Sequence, residues 1–97
     1  MIEKDVEKYL RDQIEKMGGM CLKFVSPGNA GVPDRLVLLP GGRVWFVEVK
    51  QETGRVRPLQ RWWQKKLRAV GIPSLIIKGM TEAKVFITLL QEVDHDI

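Results

Sequence analysis

Pro33-Asp34-Arg35-Leu36-Val37-Leu38-Leu39-Pro40-Gly41-Gly42-Arg43-Val44-Trp45-Phe46-Val47-Glu48-Val49-Lys50 holds two β-type runs, Leu36 to Leu39 and Val44 to Val49, joined through Pro40-Gly41-Gly42-Arg43. Proline and paired glycines between two apolar runs predict a hairpin. In the second run alternate side chains face opposite ways, so Phe46, Glu48 and Lys50 share one face while Trp45, Val47 and Val49 share the other. Two charges on one face of a strand flanked by apolar residues are costly unless they pair or bind something. A solvated Glu48/Lys50 pair on an edge strand is the bland reading. Closing the hairpin weighs against it, because the start of the first run returns beside the end of the second and brings Asp34 near Glu48. A two-residue turn would set Asp34 opposite Val49, on the wrong face. The pattern therefore predicts a bulge, a longer turn at Pro40 to Arg43, or an Asp34 just outside the regular ladder.

Working outward, Val6, Leu10, Ile14 and Met17 recur as one face of a helix requires, and Gly18-Gly19 ends that helix. Met20 to Val25 reads as a short strand, and Ser26 to Gly31 as a loop leading to Pro33-Asp34. After Lys50, the polar stretch Gln51 to Arg57 is a connection, and Pro58 suits the first turn of a helix running to about Val70. Leu59, Trp63, Leu67 and Val70 form its apolar stripe, and Gly71 closes it before the buried-strand pattern Ser74 to Ile77. Thr81 is placed to cap a last helix carrying Val85, Phe86, Leu89 and Leu90. The order αβββαβα, without repeats or low-complexity segments, predicts a single-domain α/β sandwich around a small mixed sheet, its last strand paired in parallel through a helical crossover.

The chain of 97 residues has room for one compact core spanning 1–97, and any recognition surface is expected on that same domain or on a second copy. Its composition, 44% hydrophobic and 29% charged, is that of a soluble globular protein, and no apolar run is long enough to span a bilayer. The acidic, polar start Met1-Ile2-Glu3-Lys4-Asp5 lacks the pattern of a secretory signal, so a cytoplasmic location is expected. A single cysteine, Cys21, excludes an internal disulfide and reads as core filler, and the lone His95 in the tail Asp94-His95-Asp96 offers too few ligands for a metal. The net charge of +4 favours an anionic partner.

Two carboxylates held close repel each other, and a hard cation such as Mg²⁺ or Mn²⁺ relieves that repulsion while leaving room for water and a phosphate oxygen. Asp34 and Glu48 are the candidate ligands, and Lys50 is placed to orient a nucleophile or to stabilise developing negative charge. Glu3 projects close to the direction of Leu10 and Ile14 and is a candidate third acid, with Glu7 as its substitute; an acid favoured by the positive end of the helix dipole is the competing explanation. The amide of Gln60, at the start of the helix after the active strand, is placed to hold a water or a phosphate oxygen. Arg55, Arg57, Arg61, Lys65, Lys66 and Arg68 make Arg55 to Arg68 the most basic stretch of the chain, suited to phosphate contacts, although a solvated helix face would look the same. Trp63 fits the core stripe, which leaves Trp62 for an interface or for stacking on a base.

Gly31-Val32-Pro33-Asp34-Arg35, then Phe46-Val47-Glu48-Val49-Lys50, then Gln60, after a first helix carrying Glu3, together resemble the VRR-NUC family of the PD-(D/E)XK nuclease superfamily. Pro-Asp and Glu-X-Lys are weak motifs separately; their order and the hairpin between them carry the resemblance. It implies a restriction-endonuclease-like core, Asp34 and Glu48 as metal ligands with the backbone carbonyl of Val49, Lys50 as catalytic lysine, and Glu3 and Gln60 at the family's additional acidic and amide positions. It further implies a stand-alone viral or bacterial homodimer that cuts branched DNA such as four-way junctions. A non-catalytic DNA-binding or assembly module that keeps the fold is the main alternative. A sequence-specific restriction-type enzyme is disfavoured, since no extra segment is available to read base edges.

Overall fold

A computed structural model describes residues 2–95, with side chains described through Val93. Its elements are α1 (Glu3–Lys16), β1 (Met20–Lys23), β2 (Arg35–Leu39), β3 (Arg43–Lys50), α2 (Pro58–Ala69), β4 (Ser74–Lys78) and α3 (Gly79–His95). The strands form one mixed sheet in the order β1-β2-β3-β4, antiparallel except for the parallel β3/β4 pair that the α2 crossover allows. The expected αβββαβα sandwich is the observed fold. The tail Asp94-His95-Asp96 lies outside the described side chains.

The hairpin takes the longer-turn solution. Leu39 pairs with Arg43, so Pro40, Gly41 and Gly42 form a three-residue connection. Gly41 and Gly42 have φ of 84° and 77°, a region that side chains with a Cβ resist. With Arg35 opposite Val47, the same register carried one step further sets Asp34 across from Glu48. Paired residues point the same way, so one extra turn residue moves Asp34 onto the face of Glu48 and Lys50.

The other face of the sheet carries the core. Val37, Leu39, Val47, Val49 and Ile77 pack with Val6, Leu10 and Ile14 of α1 and with Ala83, Phe86, Ile87 and Leu90 of α3. Phe86 and Leu90 are thus buried within the monomer, while Val85 and Leu89 lie on the exposed side of α3. Thr81 does not cap that helix. α3 begins at Gly79, and Glu82 Oε1 accepts the N–H of Lys78 at 2.7 Å at its start.

α2 packs on β4 from the opposite face, but not through its apolar stripe. Its buried residue is Gln64, which is 5% exposed, whereas Leu59 is 46% and Val70 74% exposed. Polar contacts set this rotation. Ser74 Oγ donates to Gln64 Oε1 at 2.9 Å, and Arg68 donates through Nε and Nη2 to the Ser74 carbonyl at 3.0 and 2.9 Å. The stripe is left facing the loop before β2: Trp63 Nε1 donates to the Ala30 carbonyl at 2.9 Å, and a Cβ on Gly31 would stand 2.8 Å from Leu59 Cγ.

Candidate active site

Five segments meet at one end of the sheet: the start of β2, the end of β3, the first turn of α1, the connection 51–57 and the start of α2. Asp34 stands where the antiparallel ladder runs out. Its Oδ1 accepts the N–H of Val49 at 3.2 Å, taking the place of a further main-chain acceptor. A strand residue directs its N–H and C=O to the same side, so the carbonyl of Val49 opens towards this edge as well.

Glu48 is 5% exposed, and Lys50 Nζ lies 3.8 Å from its Oε2. Burial, then the neighbouring Asp34 charge, push the Glu48 carboxyl up to about 7 against the pull of Lys50. Asp34 is raised first by its own burial, with the Val49 N–H acting the other way. Glu3 is raised by burial, then by Glu7 and Asp34, and lowered by Lys50. The acids Glu3, Asp34 and Glu48 therefore share one electrostatic field with a single nearby ammonium.

Of the two candidate acids on α1, Glu3 lines the cleft, while Glu7 is held in an ion pair from which its charge still reaches Asp34 and Glu3. Glu7 Oε2 pairs with Arg35 Nη2 at 3.1 Å, a contact that pins α1 to the first residue of β2. Glu3 and Lys50 face a cleft of about 630 Å³ completed by Gln51, Gly54, Arg55, Arg57 and Pro58. Arg55 and Arg57 are thus brought to the site. Arg61 and Lys65 are not; they line a separate cleft on the β4 side of α2. Gln60 Oε1 accepts the Arg57 N–H at 2.9 Å, so half of its amide caps α2 and only its Nε2 is left to serve a ligand. Trp62 is exposed, packs edge-on against Trp63 with centroids 5.1 Å apart, and lies beneath Lys66 Nζ.

Two contributors escape a reading of the sequence. Gly54 closes a tight turn through its N–H to the Gln51 carbonyl at 2.8 Å, and a Cβ there would stand 3.0 Å from that oxygen and 3.1 Å from Lys50 Cβ. Its signal was a glycine shortly after the strand lysine. The Glu7–Arg35 pair had no signal beyond the two charges themselves.

Among the described residues no three His, Cys, Asp or Glu side chains gather closely enough to hold a metal by themselves. The groups that could hold one are the carboxylates of Asp34 and Glu48 and the main-chain carbonyl of Val49. Glu48 is buried, Asp34 half-buried, and both are raised despite the Lys50 ammonium beside Glu48 and the Arg35 guanidinium near Asp34, an electrostatic deficit that a hard divalent cation would fill.

Fold and site together define a class: a small α/β domain in which a hairpin and a parallel strand deliver two acids and a lysine to one end of a sheet. The VRR-NUC domain matches residues 3–81. A solved VRR_NUC domain superposes with a TM-score of 0.81 at 32% identity, covering 89% of this chain and 94% of that one. "Putative nuclease p44" of Acyrthosiphon pisum secondary endosymbiont phage 1 is 43% identical over 75 residues, 77% of this chain and 81% of that protein. The chain belongs to the VRR-NUC family.

Proposed function

We propose that this single-domain nuclease is a divalent-metal-dependent endonuclease that hydrolyses phosphodiesters in branched DNA. One observation carries the reading: buried Glu48 and half-buried Asp34, repelling each other, stand beside Lys50 at a cleft flanked by Arg55 and Arg57. Asp34, Glu48 and the Val49 carbonyl would hold Mg²⁺ or Mn²⁺, with Glu3 at its periphery. When bound, the cation supplies an acidified water and a counter-charge for the phosphate and its leaving oxygen. The Lys50 ammonium orients the attacking water or stabilises charge that develops on the phosphate. Arg55 and Arg57 neutralise phosphates that enter the cleft, and the amide nitrogen of Gln60 fixes a water or phosphate oxygen there.

The working unit in this reading is a homodimer in the host cytoplasm. Each chain has one such site, and a two-fold pair presents two sites to the two strands of a symmetric junction. Two uncovered apolar surfaces on the same face of the sheet support pairing: the stripe of α2, with Leu59 and Val70 exposed, and the sheet positions Met20 and Leu22, which are 52% and 45% exposed. Among the described residues no helix is long and apolar enough to cross a membrane.

The test is a panel of duplex, nicked, flap and four-way DNA incubated with Mg²⁺, Mn²⁺ or chelator. The proposal expects metal-dependent cleavage that favours the four-way substrate. Binding without cleavage under every metal condition would instead identify a non-catalytic module, and equal rates on linear duplex would remove the branched-DNA preference.

A further inference from the structure

On the side of α2 away from its apolar stripe, Arg61, Gln64, Lys65 and Arg68 meet Leu75 and Ile76 in a cleft of about 300 Å³, and among the described residues no acidic side chain lines it. Its floor carries an unsatisfied donor. Gln64 is 5% exposed; its Oε1 is fixed by the Ser74 hydroxyl, and its Nε2 is buried with no acceptor. A buried donor without a partner is destabilising, and it leaves the floor of the cleft polar. The strand beneath adds a second polar edge. β4 is at the end of the sheet, and because Phe46 N–H bonds to the Pro73 carbonyl, the main-chain groups of Ser74 and Ile76 face away from β3. Arg68 covers the Ser74 carbonyl, and Ile76 presents its N–H and its carbonyl to the open side.

Three cations, with no acid among the described residues that line the cleft, define an anion site, not a cation or apolar site. We infer that this cleft binds a backbone phosphate of the DNA, separate from the phosphate that is cut. The inference rests on the nuclease reading above and adds the place that holds the flanking strand. Arg57 lines the active-site cleft and Arg61 lines this one. Arg57 caps the start of α2 and Arg61 follows about one turn later, a rise of about 6 Å along the helix. The two clefts are thus neighbours along α2. Arg61 and Lys65 neutralise the phosphate, and Arg68, held on Ser74, supplies a fixed positive wall.

The test is fluorescence anisotropy of labelled DNA in chelator over a series of KCl concentrations, with cleavage assayed in parallel. Arg61→Ala with Lys65→Ala should weaken binding about tenfold and flatten the slope of log affinity against log salt by about one, the loss of one neutralised phosphate. Reversing both charges in Arg61→Glu with Lys65→Glu should weaken binding further, with melting temperature as the control for folding. A double variant that keeps the wild-type affinity and slope, while Lys50→Ala abolishes cleavage, would overturn the cleft and leave the nuclease reading standing. Wild-type protein that neither binds DNA in a salt-dependent way nor cuts it would overturn both.

Discussion

Glu48 is the residue on which the site's energetics turn. Its carboxyl is raised from 4.5 to about 7, chiefly by burial and then by Asp34. A group raised on folding contributes stability that is fully present below its unfolded value and is lost as pH rises through its folded value. The metal-free protein should therefore lose up to about 3 kcal/mol between pH 4.5 and 7. Urea unfolding at pH 5 and pH 8 measures this, and Mn²⁺ should restore stability at pH 8 more than at pH 5. Glu48→Gln should flatten the pH dependence and weaken Mn²⁺ binding in calorimetry by at least about tenfold, the order lost when even a ligand's supporting partner is removed. Unchanged affinity would remove Glu48 from the ligand set. Gly54→Ala acts by contact: its Cβ would press on the Gln51 carbonyl and on Lys50 Cβ. Overpacking of this kind costs about 1–3 kcal/mol. Cleavage should fall further than stability because Lys50 is the displaced group, and a variant with wild-type cleavage would deny that Gly54 positions it.

At the scale of elements, the hairpin was legible and the rotation of α2 was not. Alternation put Glu48 and Lys50 on one face, and the two-residue-turn argument showed that something had to shift Asp34; the three-residue turn at Pro40 to Gly42 does so. Gly41→Asn should favour a two-residue Asn-Gly turn that pairs Pro40 with Arg43 and sets Asp34 opposite Val49, lowering Mn²⁺ affinity and cleavage together, and a variant that still binds metal like the wild type would show that Asp34 is placed by something other than turn length. α2 misled because apolar spacing marks the face that packs only when no polar contact competes. Here Gln64 and Arg68 dock on Ser74 and turn Leu59 and Val70 outward. Periodicity carries no information about such a pair, whose members lie on separate elements. The pairing of Glu7 with Arg35 was hidden for the same reason, since its members lie on separate elements.

At the scale of the molecule, the exposed stripe of α2 and the uncovered sheet face beside it set the expectation for assembly. Light scattering should give twice the 11.1 kDa chain mass. Leu22→Glu with Val70→Lys should shift it towards the monomer without lowering the melting temperature much, because both side chains are exposed in the single chain. A monomeric wild type would end the homodimer reading while leaving each site intact. The central claim, that Asp34, Glu48 and Lys50 form a metal-dependent hydrolytic site, meets its most direct test in the single-turnover cleavage rate of a four-way junction with Mg²⁺ or Mn²⁺, wild type against Lys50→Ala. The account predicts cleavage by the wild type that vanishes with chelator and falls at least about a hundredfold in the variant, and equal rates for the two proteins, or cleavage that survives chelation, would contradict it.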